Sequence, residues 1–440
     1  MKRLLFIFSF FFLFVLRGNT QEVEILTLED CLRIGIDNNL SLEGKRKEIQ
    51  KSKSENRSKL LPQINAIAGY NNNFDPPVSV TDGSSYGVPY NITKTLQHSA
   101  NAGLEMQMPL FNQTLYTSMS IAKVMEEISR LSYGKAREDV ILQISKMYYL
   151  GQVTAEQIML IKANITRLEE LRDITQAFFD NGMSMEVDLK RVNINLENLK
   201  VQYDNAQAMM KQQLNMLKYI MDYPAEKEIA LTPVNTDSIT TVALTGLSEN
   251  IYELQLSQSQ VQLAERQKKI IANGYIPSLS LTGSWRYAAY TDKGYHWFHS
   301  GPSNQWFRSY GVGLTLRIPI FDGLDKTYKI KKAMIDIENK RLAWEDARKN
   351  LQTQYLNAVN DLMNNQRNFK KQKDNYLLAE DVYAVTSDRY REGIASMTEV
   401  LQDEMQMSEA QNNYISAHYN YRVTNLMLLK LTGQIESLVK

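Results

Sequence analysis

The chain has 440 residues, and its 50 basic and 49 acidic side chains give a formal net charge of +1. This balance excludes the strong overall positive field with which nucleic-acid-binding proteins attract phosphates. The single cysteine, Cys31, excludes internal disulfides and metal sites built from several thiolates. Because only 10 Pro and 20 Gly interrupt the chain, we expect long secondary-structure elements.

The N-terminus has the composition of a secretory signal peptide, which we assign to residues 1–20. Lys2 and Arg3 precede an apolar run from Leu4 to Leu16, and small or polar residues follow it. The run is too short to cross a bilayer as a helix, and no other stretch approaches the roughly 18 apolar residues required. Any contact with a membrane is therefore expected to use β-strands.

The remaining sequence contains one plan twice, at a spacing of roughly 210 residues, which indicates duplication of a whole half. Leu-Glu-Met-Gln-Met-Pro-Leu-Phe-Asn at 104–112 corresponds to Leu-Thr-Leu-Arg-Ile-Pro-Ile-Phe-Asp at 314–322. Each half is predicted to run helix, strand, strand, long helix, turn, long helix. The predicted divisions are a first repeat at 21–221 with a β-hairpin at about 61–111, an equatorial linker at 222–247, a second repeat at 248–433 with a β-hairpin at about 276–321, and a C-terminal tail at 434–440.

The longest helices are predicted after each Pro-x-Phe. The stretch 115–179 contains no Pro and two Gly, and 326–390 contains neither, so each 65-residue segment would be about 100 Å long as a helix. Glycines at Gly182 and Gly393 then permit a reversal of the chain. The returning helices carry two heptad rows each, which predicts a neighbour on both flanks and hence a wall of helices. An ordinary antiparallel coiled coil, as in a periplasmic or surface spacer or adhesin, explains the heptads equally well.

Four strands are predicted from apolar and polar residues that alternate with a period of two. In the second strand, for example, Leu104 and Met106 alternate with Glu105 and Gln107. Such strands suit a sheet with one solvated face or an outer-membrane barrel with a wet lumen. Four strands cannot close a barrel, and lipid does not tolerate an open edge, so contact with lipid predicts a trimer that shares twelve strands.

Side chains on the polar face would line the lumen of such a barrel, and the charged ones are Glu105, Arg286 and Arg317. The two connections between paired strands are predicted as loops. Residues 75–95 are mostly polar, whereas 290–310 contain several aromatic residues that suit a lipid boundary or the internal packing of the loop.

Together with this layout, Leu-Thr-Leu-Glu-Asp-Cys-Leu at 26–32, followed by Asp-Asn-Asn at 37–39, resembles the TolC-like outer membrane efflux family, the outer membrane factors. The resemblance implies a mainly α fold with membrane β-strands. Duplicated halves would form a trimeric 12-stranded β-barrel continuous with a long α-helical barrel. It also implies the outer membrane of a Gram-negative bacterium, with an extension into the periplasm.

The function implied by this family is that of an exit duct in a tripartite efflux or type I secretion system. The homotrimer would lie in outer-membrane lipid and passively conduct substrates supplied by an inner-membrane pump of the RND, ABC or MFS type. A periplasmic adaptor protein would recruit it. The resemblance identifies neither the pump nor the transported substrate.

The resemblance also assigns two groups of residues at the periplasmic ends of the helices. The turns would dock the adaptor through Gly182 and Met183 and through Gly393 and Ile394. Asp188, Tyr390 and Glu399 would form the periplasmic aperture, or gate, with a bond between Tyr390 and Asp188 in the closed state. Two departures from the family pattern, Ala395 in place of an arginine and Gln402 in place of an acid, put the arginine latch and a second acidic ring in question.

No catalytic constellation is present in the sequence, so we expect neither an enzyme nor a bound cofactor. Phosphate loops, dinucleotide fingerprints and nucleophile elbows are missing. The four histidines are His98, His296, His299 and His418. His296 and His299 share a loop in which Tyr, Trp, Phe and Ser accompany them, which makes them a poor metal site.

Overall fold

The computed structural model describes residues 23–54, 58–234, 246–291 and 306–439. The signal peptide predicted at 1–20 and His296 and His299 lie outside these residues. In chain order the α-helices and strands are β1 (Glu24–Leu26), α1 (Leu28–Asn38), α2 (Leu40–Ser54), β2 (Gln63–Asn72), β3 (Val78–Asp82), β4 (Tyr90–Lys94), β5 (His98–Phe111), α3 (Gln113–Asp180), α4 (Glu186–Met221), β6 (Ile229–Leu231), α5 (Tyr252–Asn273), β7 (Ser278–Thr291), β8 (Trp306–Arg317), α6 (Asp325–Arg391) and α7 (Met397–Leu431).

The two long helices predicted after Pro-x-Phe are confirmed. α3 contains 68 residues and α6 contains 67. At the start of α3 the side chain of Asn112 accepts a hydrogen bond of 3.2 Å from the backbone of Leu115, which caps the first turn. In the part of the chain that the structure covers, no helix is both long enough and apolar enough to cross a bilayer.

The residues divide into two compact units, and each contains parts of both sequence repeats. The first unit comprises Met1–Glu43, Lys135–Ile251 and Leu351–Lys440; the second comprises Gly44–Gly134 and Tyr252–Asn350. We call them the helical unit and the sheet unit. The division into repeats and a linker at 222–247 remains a prediction.

The sheet unit contains a four-stranded antiparallel sheet in the order β2-β5-β7-β8. In its register Asn65 lies opposite Glu105, Glu105 opposite Ser284, and Ser284 opposite Gly311. Polar residues therefore share one face, and the apolar residues between them share the other, as the alternation predicts. β2 and β8 are the edges of this sheet.

Two pairs of strands were missed by the sequence analysis. β3 and β4 form an antiparallel hairpin inside the connection predicted as a loop at 75–95. Its strands are only five residues each, and the prolines and glycines around them favour a loop. β6 lies in the predicted linker and pairs in parallel with β1, which begins the described chain. Because β1 and β6 are far apart in the chain, their pairing leaves no periodic pattern in the local sequence from which it could be predicted.

The helical unit has an apolar cluster near the ends of α3 and α6, to which all four long helices contribute. The buried members are Leu168, Leu171, Val192, Leu196, Leu199, Tyr383, Tyr390, Met397, Val400, Leu401 and Met407. Leu168 and Val400, for example, are completely buried. Removal of this surface from water stabilises the association of the hairpin α3–α4 with the hairpin α6–α7.

From within the apolar cluster onwards, α7 and its C-cap residue bury a row of polar residues spaced seven apart. They are Glu404, Gln411, His418, Asn425 and Thr432, and none is more than 9% exposed. The heptad rows proposed from sequence contain none of these positions, because those rows were traced only through apolar and aromatic side chains. The polar row favours one register, since a shift would break the pairs that Gln411 and His418 make with α3.

Side chains on α3 satisfy two members of this row. The amides of Asn164 and Gln411 are buried and exchange hydrogen bonds of 2.7 and 3.4 Å. Glu156 accepts a hydrogen bond of 2.9 Å from the hydroxyl of Tyr414 and lies 3.3 Å from Nδ1 of His418. Arg422 donates from Nε to Nε2 of His418 at 2.9 Å. This bond requires the proton of the neutral imidazole to be on Nδ1, facing Glu156.

Substitution of one partner in the buried amide pair should cost more than substitution of both. Gln411→Leu leaves the Asn164 amide without its acceptor and should destabilise the helical unit by about 1 to 3 kcal/mol. Adding Asn164→Leu should restore a large part of this loss, because both polar groups are then removed. A double-mutant cycle based on hydrogen exchange of α7 amides measures the coupling. Simply additive costs would show that the two amides do not act as a pair.

Glu404 should make the helical unit less stable as the pH rises. Burial raises the pKa of its carboxyl group from 4.5 to about 6. The stabilising contribution of the protonated form is complete below pH 4.5 and is lost as the pH rises through about 6. Glu404→Gln should therefore exceed the wild type in stability at neutral pH by on the order of 2 kcal/mol. Hydrogen exchange of α7 amides, corrected for intrinsic exchange rates, should show that the difference in stability between variant and wild type disappears in acid. A difference that stays constant with pH would contradict an effect of Glu404 ionisation.

Candidate functional site

The turn after α3 ends the helix with a left-handed glycine. Gly182 has a φ of 72°, and its backbone N–H donates to the carbonyl of Phe179 at 2.9 Å. The N–H of Met183 donates to the carbonyl of Phe178 at 2.8 Å. These two bonds form a Schellman motif, which terminates the helix and satisfies its last carbonyls. The side chain of Met183 is 66% exposed just beyond the turn.

The turn after α6 repeats this geometry. Gly393 has a φ of 76° and donates to the carbonyl of Tyr390 at 2.9 Å, while Ile394 donates to the carbonyl of Arg389 at 2.8 Å. Ile394 is 63% exposed and occupies the position equivalent to Met183. Each tip of the helical unit thus presents one large apolar side chain directly after its glycine.

Tyr390 and Asp188 have separate partners in the described chain, and the bond expected between them in the closed state stays a prediction. The ring of Tyr390 is buried against Phe178, with 5.6 Å between centroids, and its hydroxyl donates to Oγ1 of Thr175 at 3.3 Å. The carboxylate of Asp188 is 3.3 Å from a guanidinium nitrogen of Arg191. Tyr390 therefore packs inside the hairpin bundle, whereas Asp188 lies in the first turn of α4.

Glu399 takes part in a capping box at the start of α7. Its backbone N–H donates to Oγ of Ser396 at 3.3 Å, and its carboxylate accepts from the backbone N–H of Ser396 at 3.4 Å. The sequence Ser-Met-Thr-Glu at 396–399 has the capping-box spacing, so this role was detectable before the structure. A negative side chain there also interacts favourably with the helix dipole.

Ion pairs between α3 and α6 were missed by the sequence analysis. A guanidinium nitrogen of Arg391 lies 3.4 Å from the carboxylate of Glu170, and Arg167 pairs with Glu380. Nothing in a single sequence pairs residues more than 200 positions apart. Ala395, which replaces the arginine expected from the family, packs against the apolar cluster. Charged contacts between the hairpins are therefore made from other positions.

The charged residues predicted to face a lumen all lie on the polar face of the sheet. The guanidinium of Arg286 donates to the carboxylate of Glu105, and both side chains are partly exposed. Arg317 lies opposite Ser278, at the other end of β7. Among the described residues no group of three or more His, Cys, Asp or Glu is arranged to hold a metal ion.

The chain matches the family model described as "Outer membrane efflux protein" over residues 40–221 and 243–434. It is 21% identical to outer membrane protein TolC of Vibrio cholerae over 90% of this chain and 87% of the relative. The CusC channel structure has 16% identity, a TM-score of 0.74, and coverage of 92% of this chain and 91% of that one.

VceC from Vibrio cholerae has 14% identity, a TM-score of 0.70, and coverage of 92% of this chain and 96% of that one. At such low identities the two structures establish the fold, and the family match covers most of the chain. The chain belongs to the outer membrane efflux protein family, a family of channel proteins located in the outer membrane of Gram-negative bacteria.

Proposed function

We propose that the chain is the passive exit duct of a tripartite efflux or type I secretion system. Three copies would close one channel, a periplasmic adaptor would bind the helical tips, and an inner-membrane pump of the RND, ABC or MFS type would supply the energy. The observation that carries this proposal is the four-stranded sheet, whose apolar face is exposed along β8 and whose edge strands lack an outer neighbour in the described chain.

The edge strand β8 supports closure by further copies. Every residue of β8 is exposed, and on its apolar face Val312 and Leu314 are 79% and 67% exposed. Unpaired backbone groups cost several kcal/mol each in hydrocarbon, so an edge must be paired before the sheet enters a bilayer. Pairing β8 of one copy with β2 of the next satisfies these groups, and three copies then supply the twelve strands expected of this duct.

The helical unit supports lateral contacts as well. Val187, Ile194 and Val201 form a heptad row on α4 and are 46%, 62% and 58% exposed. A row of this kind is typical of a helix with a neighbour on that side. The helices of adjacent copies would cover it and form the wall of a tunnel, while Met183 and Ile394 would remain available to the adaptor.

In this arrangement Asp188 and Glu399 would repeat around the axis near the tips and favour cations. Each of these two acidic residues lies in the first turn of a returning helix. Opening would separate the hairpins there, so contacts such as the bond from Tyr390 to Thr175 would be exchanged for contacts with the adaptor.

Charge substitution on the two faces of β8 tests the shared barrel. Leu314→Arg places a cation on the apolar face and should cost about 2 to 4 kcal/mol per copy if that face meets the bilayer interior. Thr315→Arg, one residue along on the polar face, is the matched control and should be tolerated. Assembly is measured from the amount of trimer on unheated detergent gels and from the amount of protein recovered in outer-membrane fractions. Equal tolerance of both substitutions would contradict contact with lipid.

The gate proposal requires that the charge of Glu399 be separated from its capping role. Glu399→Gln removes the charge but can keep the capping box, whereas Glu399→Ala removes both and should destabilise α7 by roughly 1 kcal/mol. In planar bilayers both variants, each combined with Asp188→Asn, should lose cation preference and gain conductance. If selectivity is unchanged in both, the two acids do not line the aperture; if only the Ala variant changes, capping explains the effect.

A further inference from the structure

The apolar face of the sheet carries one permanent charge. Within β2, β5, β7 and β8 as described, the register places a single Arg, Lys, Asp or Glu on that face, and it is Arg308. Arg286, Arg317 and Glu105 are on the opposite, polar face. A charged side chain in this position is unexpected, because Val312, Leu314 and Leu316 follow it on the same face of β8.

Aromatic side chains surround Arg308. Tyr287 lies directly opposite Arg308 on β7. The guanidinium carbon of Arg308 is 5.9 Å from the ring centroid of Tyr310. Trp285 contacts Tyr287 edge to face, with 5.4 Å between ring centroids, and Trp306 lies two residues before Arg308 on the same face. Amphipathic rings on the outer face of a membrane sheet concentrate at the level of the lipid headgroups.

We propose that Arg308 binds the phosphate of a negatively charged lipid headgroup in the outer leaflet. This inference rests on the proposed function, in which the apolar face meets lipid and the long helices extend into the periplasm, so that the start of β8, the end of the strand away from α6, faces the outer leaflet. Among the described residues no carboxylate pairs with Arg308. Its guanidinium makes a cation–π contact with the ring of Tyr310.

The chemistry of the guanidinium selects a phosphate. Its planar N–H groups match two phosphate oxygens, and such charge-assisted pairs strengthen where water is depleted. A cation costs least on a lipid-facing strand near the interface, which is where the aromatic side chains place Arg308. An anionic headgroup therefore supplies the missing counter-charge, and the neighbouring rings hold the guanidinium towards it.

The tryptophans beside Arg308 provide the measurement. The full-length protein is reconstituted in vesicles in which brominated phosphatidylglycerol or brominated phosphatidylcholine replaces the same lipid without bromine. With Trp297 and Trp344 replaced by Phe, quenching of the fluorescence of Trp285 and Trp306 then gives the relative binding constants of the two lipids at the protein surface. The wild type should prefer phosphatidylglycerol, and Arg308→Gln should reduce that preference about fivefold. Arg317→Gln, which removes the same charge from the polar face of the same strand, should retain it.

The outcomes separate this inference from the proposed function. Quenching by both brominated lipids with no headgroup preference in the wild type, or an equal preference in Arg308→Gln, would overturn the role of Arg308 and leave the membrane sheet intact. An equal loss in Arg317→Gln would assign the preference to overall charge and also overturn it. Absence of quenching by either lipid would place the sheet outside the bilayer and overturn the proposed function itself.

Discussion

The interaction on which the rest depends is the pairing of strand edges. The four-stranded sheet has a polar face, an apolar face and two edges, and its chain offers no outer partner for those edges among the described residues. In water such a sheet would expose Val312 and Leu314; in lipid it would also leave backbone groups without hydrogen bonds. The first cost disappears in lipid, and the second would disappear if copies of the chain paired edge to edge, as proposed. This requirement links the alternation in single strands to an assembly of several subunits.

The helical unit is stabilised in two different ways along its length. At the tips an apolar cluster joins the two hairpins, and large side chains such as Leu168 and Val400 are fully buried. Farther along α7 the buried face carries polar groups at every seventh residue, including Gln411 and His418. Apolar packing tolerates small shifts, whereas buried polar groups need particular partners. We therefore expect the tips to rearrange more readily than the part of α7 in which Gln411 and His418 pair with α3.

Residues at the tips combine structural roles with the functional roles proposed for them. Glu399 caps α7 and would also place a charge at the aperture, and Gly182 and Gly393 end the long helices while they place Met183 and Ile394 at the exposed turns. An effect of substitution on transport would therefore be ambiguous without a variant that preserves the cap. The same separation applies to the sheet, where Arg308 and Arg317 have the same charge on opposite faces of β8.

The sequence by itself determined the long helices, the left-handed turns, the alternating strands and the family, because these depend on local periodicity, on glycine, or on motifs repeated in both halves. It also contained the capping box of Ser396 and Glu399, which is a local spacing. Only the tertiary structure decided the pairings between distant residues. Those pairings place Tyr390 against Thr175, join Arg391 to Glu170, and bring β6 beside β1. They depend on side-chain packing between elements far apart in the chain, for which one sequence contains no periodic signal.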